Sequence, residues 1–548
     1  MSDINFYHPE ERPWPNPRLD YASIIGHTTA DSVRLWLRVD RPGDYWLVVA
    51  SNPIPTHGTP EITASDEQSY SFLLSTDAGE TQEIPTERIY PLEFDSGYDI
   101  TKVVELEGLQ PDSRYYYCLL QTNSENPWIL GHEDKLSVQT FPEHTNEFNF
   151  GLYSCHMPYD GRKLVNMEMW DLFYQELSDV QARFIIGAGD QMYVDGNLQL
   201  NVWSWLRQVK DQMPNRYDMI SWYRDLFRGY WGVLPVRRVL RSFPCYMIWD
   251  DHEIMDGWGS FTEKELVAQV DATLNEEERE YHLVLTQEMF QAAKQVYYEY
   301  EHSHNPPTDD TIEQFDYEFN CGCSAFYVLD MRGHRDFNRD SLRILGEQQW
   351  ERLTHWISRQ YQGDSRVLFI VSPTPVVHLN SFIINQFDIP YMVVTDDMRD
   401  NWEHEAHWEE RNKLLGTVFQ FSQETQRPVI FLSGDVHLGA AFKVSHPDFP
   451  AARVFQLTSS PIIHATINKF ARRILEMLVK ESGNLGTLPG NVPYQFQNLY
   501  LCRRNNFGIV RVKETDEGEL SIKYDLFGAT GRGDGTIEKK QIDLNQIP

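Results

Sequence analysis

The sequence predicts a layered α/β body with sheet at its centre, preceded by an all-β segment. Three observations predict it. Residues 33–39 alternate strictly between apolar and polar. From about Glu147 the rhythm changes to apolar run, turn and helix-like segment. The C-terminal stretch from Ile509 then returns to alternation.

In chain order, Val33, Leu35, Leu37 and Val39 face one way and Arg34, Trp36 and Arg38 the other, the period of a half-buried strand. Tyr45–Ala50 and Lys102–Leu106 read as further strands. Leu109, Pro111 and Tyr115–Tyr117 look like the turn into a late strand of a fibronectin-type sandwich, where a tyrosine ties down a corner. The Thr-, Pro- and Glu-rich stretch Pro53–Pro91 reads as long loops, and the polar run Phe141–Asn146, with Pro142, as a linker. This places a β-sandwich at 20–142 and a second domain at 147–548. In the second, apolar runs ending near Tyr153, Ile186, Trp249, Val328, Val371 and Leu432 read as strands. Between them Val165–Leu177, Glu276–Tyr300, Glu347–Gln360 and Glu405–Phe421 read as helices. Strand-like alternation at Ile509–Val512 and Leu520–Tyr524, with a turn at Gly531, Gly533 and Gly535, completes the chain.

Composition narrows the function classes. A chain of 548 residues that is 41% hydrophobic and 13% aromatic has ample material for a large core, which excludes a disordered or fibrous protein. With 48 Lys+Arg against 81 Asp+Glu the net charge is −33, which repels nucleic acid and anionic membrane surfaces but leaves room for a small, positively polarised pocket. Six cysteines are too few for a disulfide scaffold. The first residues lack the basic and apolar regions of a secretory signal, and no apolar run approaches the roughly 18 residues of a membrane span. A cytoplasmic protein is the expectation.

The chemistry collects at strand ends. Ser154-Cys155-His156, Gly189-Asp190, Asp250-Asp251-His252-Glu253, Asp330 and Gly434-Asp435-Val436-His437 each follow an apolar run. In a layered α/β sheet those loops converge on one edge. Carboxylates within ~4 Å of one another repel by roughly 4 kcal/mol per pair at an effective dielectric near 20. Such a cluster persists when cations neutralise it, or protons at a large pKa cost; a site with two or more metal ions is the economical reading. Cys155 offers a soft thiolate and Tyr193 a phenolate, which favour iron over magnesium. The carboxylates suit calcium, magnesium or manganese, and spacing alone does not choose among them.

Four stretches together, Gly189-Asp190-Gln191-Met192-Tyr193-Val194-Asp195, Trp249-Asp250-Asp251-His252-Glu253, Leu329-Asp330-Met331-Arg332 and Ser433-Gly434-Asp435-Val436-His437, resemble the PhoD-like branch of the calcineurin-type metallophosphatases. Asp256-Gly257-Trp258-Gly259-Ser260 is similar to a non-exported subgroup. The resemblance covers roughly residues 20 to 530 and implies two packed mixed sheets flanked by helices, with a fibronectin- or immunoglobulin-like sandwich in front. It implies hydrolysis of phosphomonoesters or phosphodiesters by metal-activated water, with iron plus calcium favoured and manganese, zinc or magnesium as alternatives. Carried over by position, Cys155, Asp190, Tyr193, Asp251, Asp435 and His437 would be metal ligands. Asp190 would bridge the ions, while His252 and Arg332 would contact the phosphate. A cationic His252 or Arg332 would stabilise charge on the ester oxygens, and His252 would protonate the departing alkoxide.

The pattern departs from the family in two places. His156 follows Ser154-Cys155 where the family carries an amide side chain, which makes it an additional ligand candidate. The histidine that often precedes the last motif has no obvious counterpart, leaving His378, His404 or His407 for the second metal. His404-Glu405-Ala406-His407 is one residue short of the His-Glu-x-x-His zinc motif. Asp195 reads as a calcium ligand or as a turn residue, and Arg332 alternatively as a structural partner of Asp330 or Asp336. No Gly-x-Ser-x-Gly elbow or P-loop is present. Asn197–Pro235 and Gly257–Pro307 read as a lid over the site. Two other classes stay open: a metal-dependent hydrolase of non-phosphorus substrates, and a catalytically silent binding protein braced by its metals.

Overall fold

The apolar runs fold into two sheets packed face to face, in a computed structural model that describes residues 19–547 except 65–68, 77–78, 123, 132–134, 197–200, 209–214, 275–278, 309–312, 378–398, 465–484, 489–492, 516–517 and 530–535. The first sheet orders Cys245–Ile248, Phe184–Ala188, Glu147–Tyr153, Asn506–Glu514, Leu520–Ala529 and Ile537–Asp543. Its first three strands are parallel; the C-terminal strands add to them antiparallel. The second sheet orders Tyr317–Cys321, Ser324–Val328, Val367–Val371, Val429–Ser433, Val454–Thr458, Gly439–Ser445, Gln495–Cys502 and Leu485–Thr487. Ser324–Val328, Val367–Val371, Val429–Ser433 and Val454–Thr458 run parallel. Phe184–Ala188, Val367–Val371 and Val429–Ser433 are buried at every position, the reason their sequences are continuous apolar runs.

A phenylalanine layer joins the sheets. Phe150 and Phe184 stack at 4.9 Å within the first sheet, Phe326 and Phe369 at 4.8 Å within the second. Across the layer Phe150 meets Phe326 and Phe369 edge-on at 5.5 and 5.4 Å. Each such pair adds about 1 kcal/mol beyond its buried area. Helix Glu168–Asp179 packs Trp170, Phe173 and Leu177 into the first sheet's core. Helices Gly346–Gln360 and Trp408–Thr425 cover the outer face of the second. The segment expected as one helix, Glu276–Tyr300, is helix Arg279–Tyr297 continued by a π turn, Tyr298–His302. No helix among the described residues is long and apolar enough to cross a membrane.

In the N-terminal region, Ala22–Thr28, Ser32–Arg38 and Thr101–Glu107 form one sheet. Gly43–Ala50, Arg88–Phe94, Arg114–Leu120 and Trp128–Leu130 belong to the other. Val33, Leu35, Leu37, Leu47, Val49 and Leu106 fill the space between them. The Tyr115 hydroxyl accepts the Gln110 amide at 2.8 Å, the corner its position announces. Pro53–Pro91 is not loop: Thr59–Ala64, Tyr70–Ser75 and Thr81–Ile84 form a small sheet. Pro60, Phe72, Leu74 and Ile84 are its buried side chains, too sparse an apolar signal to read as strands.

Trp36 corrects a second expectation. It lies on the strand face read as outward, yet it is fully buried. Its indole donates to the Glu299 carbonyl at 2.7 Å and its ring meets Trp231 and Tyr300. The covering element is helix Arg216–Trp231, which buries Trp222, Tyr223, Phe227, Tyr230 and Trp231. It belongs to Asn197–Pro235, the segment read as a lid; in the structure this helix wedges sandwich and sheets together. Asp99 pins the wedge, accepting from Arg228 at 2.6 and 2.7 Å, from Arg38 at 3.3 Å and from the Tyr300 hydroxyl. Burial pushes the Asp99 carboxyl up, but Arg228, Arg38 and Tyr300 overrule it and hold it below its ordinary value. A depressed carboxylate contributes stability above its unfolded pKa of about 4, and that contribution is lost as pH falls through the folded value. Asn tolerates the left-handed backbone at this position (φ 54°). Asp99→Asn is therefore expected to cost about 3 kcal/mol at pH 7, with the gap to the parent narrowing below about pH 4 in a urea-denaturation series.

Candidate functional site

The parallel strands of both sheets end at one edge, where main chain ties them together. The Cys155 amide donates to the Gly189 carbonyl at 3.2 Å, Ile462 to Ser154 at 2.9 Å, and Gly434 to Pro373 at 2.8 Å. His156–Met157 pairs in parallel with Ile463–His464. At Gly434 the sheets approach closely: a Cβ there would overlap the Ala188 carbonyl and the Ser154 side chain. Gly189 (φ 88°) turns the chain against Asp250, so that a Cβ would sit 2.7 Å from the Asp250 Cβ. Cys155, Asp190, Asp435 and His437 all have left-handed backbone, with φ of 55°, 56°, 60° and 53°. Such conformations cost roughly 1 kcal/mol or more each and gather where surrounding structure imposes them.

These turns bring the acids together. Donor atoms of Asp190, Asp251 and His252 lie within 4.8 Å of one another, as do those of Asp190, Asp250 and Asp435, so Asp190 belongs to both groups. Asp190 Oδ1, Asp250 Oδ2 and Asp251 Oδ1 are buried without a hydrogen-bond partner. Burial pushes Asp190 up to about 6 and Asp435 well above its ordinary value, with the neighbouring carboxylates adding to the effect. Orphaned carboxylate oxygens at this spacing are a donor set that fits two hard cations sharing Asp190. Softer donors crowd the other Asp190 oxygen. Cys155 Sγ and the Tyr193 hydroxyl lie 3.2 and 3.1 Å from Oδ2, and His437 Nε2 lies 3.2 Å from that hydroxyl. Burial and the Asp190 charge push the Cys155 thiol up, so its thiolate needs a cation beside it. Ser460 braces this side, its Oγ 3.0 Å from Cys155 Sγ and accepting the His437 amide at 3.0 Å.

The family profile of the PhoD-like phosphatases matches residues 150–517, which hold every side chain of this site. The chain belongs to that family. An uncharacterized protein of Saccharomyces cerevisiae, YGR266W, is 24% identical over 405 residues, 58% of this chain and 56% of the relative. The chain thus spans little more than half the length of that relative. Among solved structures, PhoD superposes over 97% of this chain and 92% of its own, at 16% identity and a TM-score of 0.59. A purple acid phosphatase from yellow lupin seeds superposes over 95% and 74%, at 10% identity and a TM-score of 0.50. These structures share the fold.

Within this PhoD-like centre the resemblance put Arg332 on the phosphate; in the structure its guanidinium is engaged by carboxylates. Arg332 is fully buried, its Nε on Asp250, its Nη1 and Nη2 on Asp400, and Nη1 also on the Trp258 carbonyl at 2.9 Å. A phosphate contact would have to break these ion pairs. Asp250, Asp251 and Asp400 form a third acidic group, and the guanidinium sits among them, 3.4 Å from Asp251. Asp330 accepts from Trp249 and from the Arg332 and Gly333 amides, as a turn residue. His156 packs behind the site, its Nδ1 accepting from Trp170 at 3.1 Å, and burial lowers it to about 3. His404 caps the Ala406 amide, and His407 Nε2 lies against Arg335 and the Arg399 carbonyl. Neither joins an acidic group among the described residues, and His378 lies outside them.

Four further contributors carry no role in the sequence reading. Asp250 is as central as Asp251. Asp400 anchors Arg332. Glu253, within the quoted Trp249–Glu253 motif, accepts from the amides of Asp190, Gln191, Met192 and Asp250, and so shapes both acid-bearing turns. His464 sits 4.3 Å from the His437 ring and 5.6 Å from the Tyr193 ring, centroid to centroid. Asp195 resolves as a side-chain partner: its Oδ1 is 2.7 Å from His252 Nδ1, and its Oδ2 takes the Asp256 amide at 2.6 Å.

Proposed function

We propose that this protein hydrolyses phosphate esters, monoesters or diesters, at a centre of two metal ions held by Asp190, Asp251 and Asp435 with Cys155, Tyr193 and His437. The observation that carries the reading is the gathering of buried carboxylates, with Asp190 Oδ1 and Asp250 Oδ2 left without a hydrogen-bond partner and Asp251 Oδ1 met only by Arg332 at 3.4 Å. Iron with calcium matches a thiolate, a phenolate and several carboxylates best; manganese, zinc and magnesium are the alternatives. When bound, the ions polarise the phosphoryl oxygens and activate water. The proposed chain has a sandwich at 20–142 and a catalytic unit at 147–548.

The residues' own contributions follow from geometry. Glu253 fixes the turns that aim Asp190 and Asp250. Arg332 positions Asp250 and Asp251 from behind. Asp195 orients His252 through Nδ1, which leaves Nε2 for the ester. The Asp195 carboxylate on Nδ1 favours the imidazolium, which would donate its Nε2 proton to the leaving oxygen. Tyr193 supports the ring face, 4.2 Å away between centroids.

Hydrolysis of an aryl phosphomonoester and a bis-aryl phosphodiester by the metal-loaded protein tests this, read with elemental analysis. His252→Ala is expected to lower turnover about 10²- to 10⁴-fold while metal content stays at the parent level. A parent that turns over neither ester would overturn the phosphatase reading. Loss of metal from His252→Ala would make His252 a ligand instead.

A further inference from the structure

We infer that the chain carries a second anion site, for a phosphate-bearing small molecule, between the sandwich and the first sheet. A cavity of about 710 Å³ opens there, within the range of about 300–1,000 Å³ typical of small-molecule sites. Arg114, Lys135, Arg183, Arg238 and Arg241 line it, against one carboxylate, Asp112, among the described residues. In a chain of net charge −33 a random patch of surface would be acidic, so five cations around one opening stand out.

The place is distinct from the metal centre. Gln181–Arg183 and Ser242–Pro244 lead into strands Phe184–Ala188 and Cys245–Ile248, whose far ends carry Asp190 and Asp250. The same two strands thus present carboxylates at one edge and guanidinia at the other. Internal partners take up part of the charge. Arg183 pairs with Asp112 at 3.1 Å, Arg238 with Asp171 at 2.7 Å, and Arg114 donates to Gln139 at 3.2 Å. Among the described residues, Asp112 and Asp171 are the carboxylates that pair with Arg183 and Arg238. Arg238 Nε is buried without a partner, and its guanidinium lies 4.2 Å over the Tyr174 ring, which fixes its plane. Fixed guanidinium forks match the paired oxygens of a phosphate.

The inference is separable from the phosphatase reading, because phosphate affinity and its response to substitution are read by calorimetry whether or not an ester is turned over. Calorimetric titration of inorganic phosphate into the full chain at low ionic strength is expected to show a class of site that does not compete with ester substrates. Arg183→Ala/Arg238→Ala should weaken that class at least tenfold. Arg114→Glu/Lys135→Glu, at exposed positions outside the ion pairs, should weaken it at least threefold with unchanged turnover and melting temperature. Phosphate binding at a competing class alone, or a second class indifferent to the exposed pair of substitutions, overturns the inference.

Discussion

Asp190→Asn is expected to abolish metal retention and to lower ester hydrolysis by about 10³-fold or more, a loss of roughly 4 kcal/mol of transition-state stabilisation. The reason is that Asp190 stands in both donor groups, so one substitution weakens two ion positions at once. The same change has an opposite effect on the metal-free chain. Burial raises the Asp190 carboxyl to about 6, and a raised carboxyl weakens folding as pH climbs through its unfolded value towards its folded one. Above about pH 6 the chelator-treated variant should therefore be more stable than the chelator-treated parent, by about 3 kcal/mol. Elemental analysis, turnover and denaturation in chelator check the three parts. A variant that keeps its metal and activity would remove the shared-ligand argument.

Arg332→Met should cost about 4 kcal/mol of folding stability, because it strands Asp250 and Asp400 as buried charges. Adding Asp400→Asn should restore part of that loss, since one of the two stranded charges is then gone. Guanidinium-chloride denaturation of the three proteins measures it. A phosphate-contacting arginine would behave differently, leaving stability intact and raising KM.

Much of the centre was legible because of a regularity in the chain. Cys155, Asp190, Asp251 and Asp435 each follow an apolar run by a few residues, and a layered sheet delivers such positions to one edge. Asp400 offers no such signal. It follows no strand among the described residues, and its partner Arg332 lies 68 residues away. Glu253 was in view but silent, because an acceptor of backbone amides differs in sequence from a ligand in nothing. Asp195 needed its distance to His252 before its partnership with that ring could be seen. In the fold, the ends of the six apolar runs of the second domain were read to within two residues, whereas the strand begun at Leu520 runs five residues past Tyr524 and the sheet Thr59–Ile84 was missed because a mostly exposed strand leaves little apolar imprint. The outward Trp36 and the helix that buries it were misread for a related reason: period-2 alternation reports one covered face, and here both are covered.

Gly434 sets how closely the two sheets can meet. With the glycine lodged against the Ala188 carbonyl, the two halves of the body meet as a lap joint rather than a hinge. A side chain at Gly434 would wedge the two halves apart, so the substitution Gly434→Ala should disturb the spacing of the acid-bearing turns on both sides of the joint.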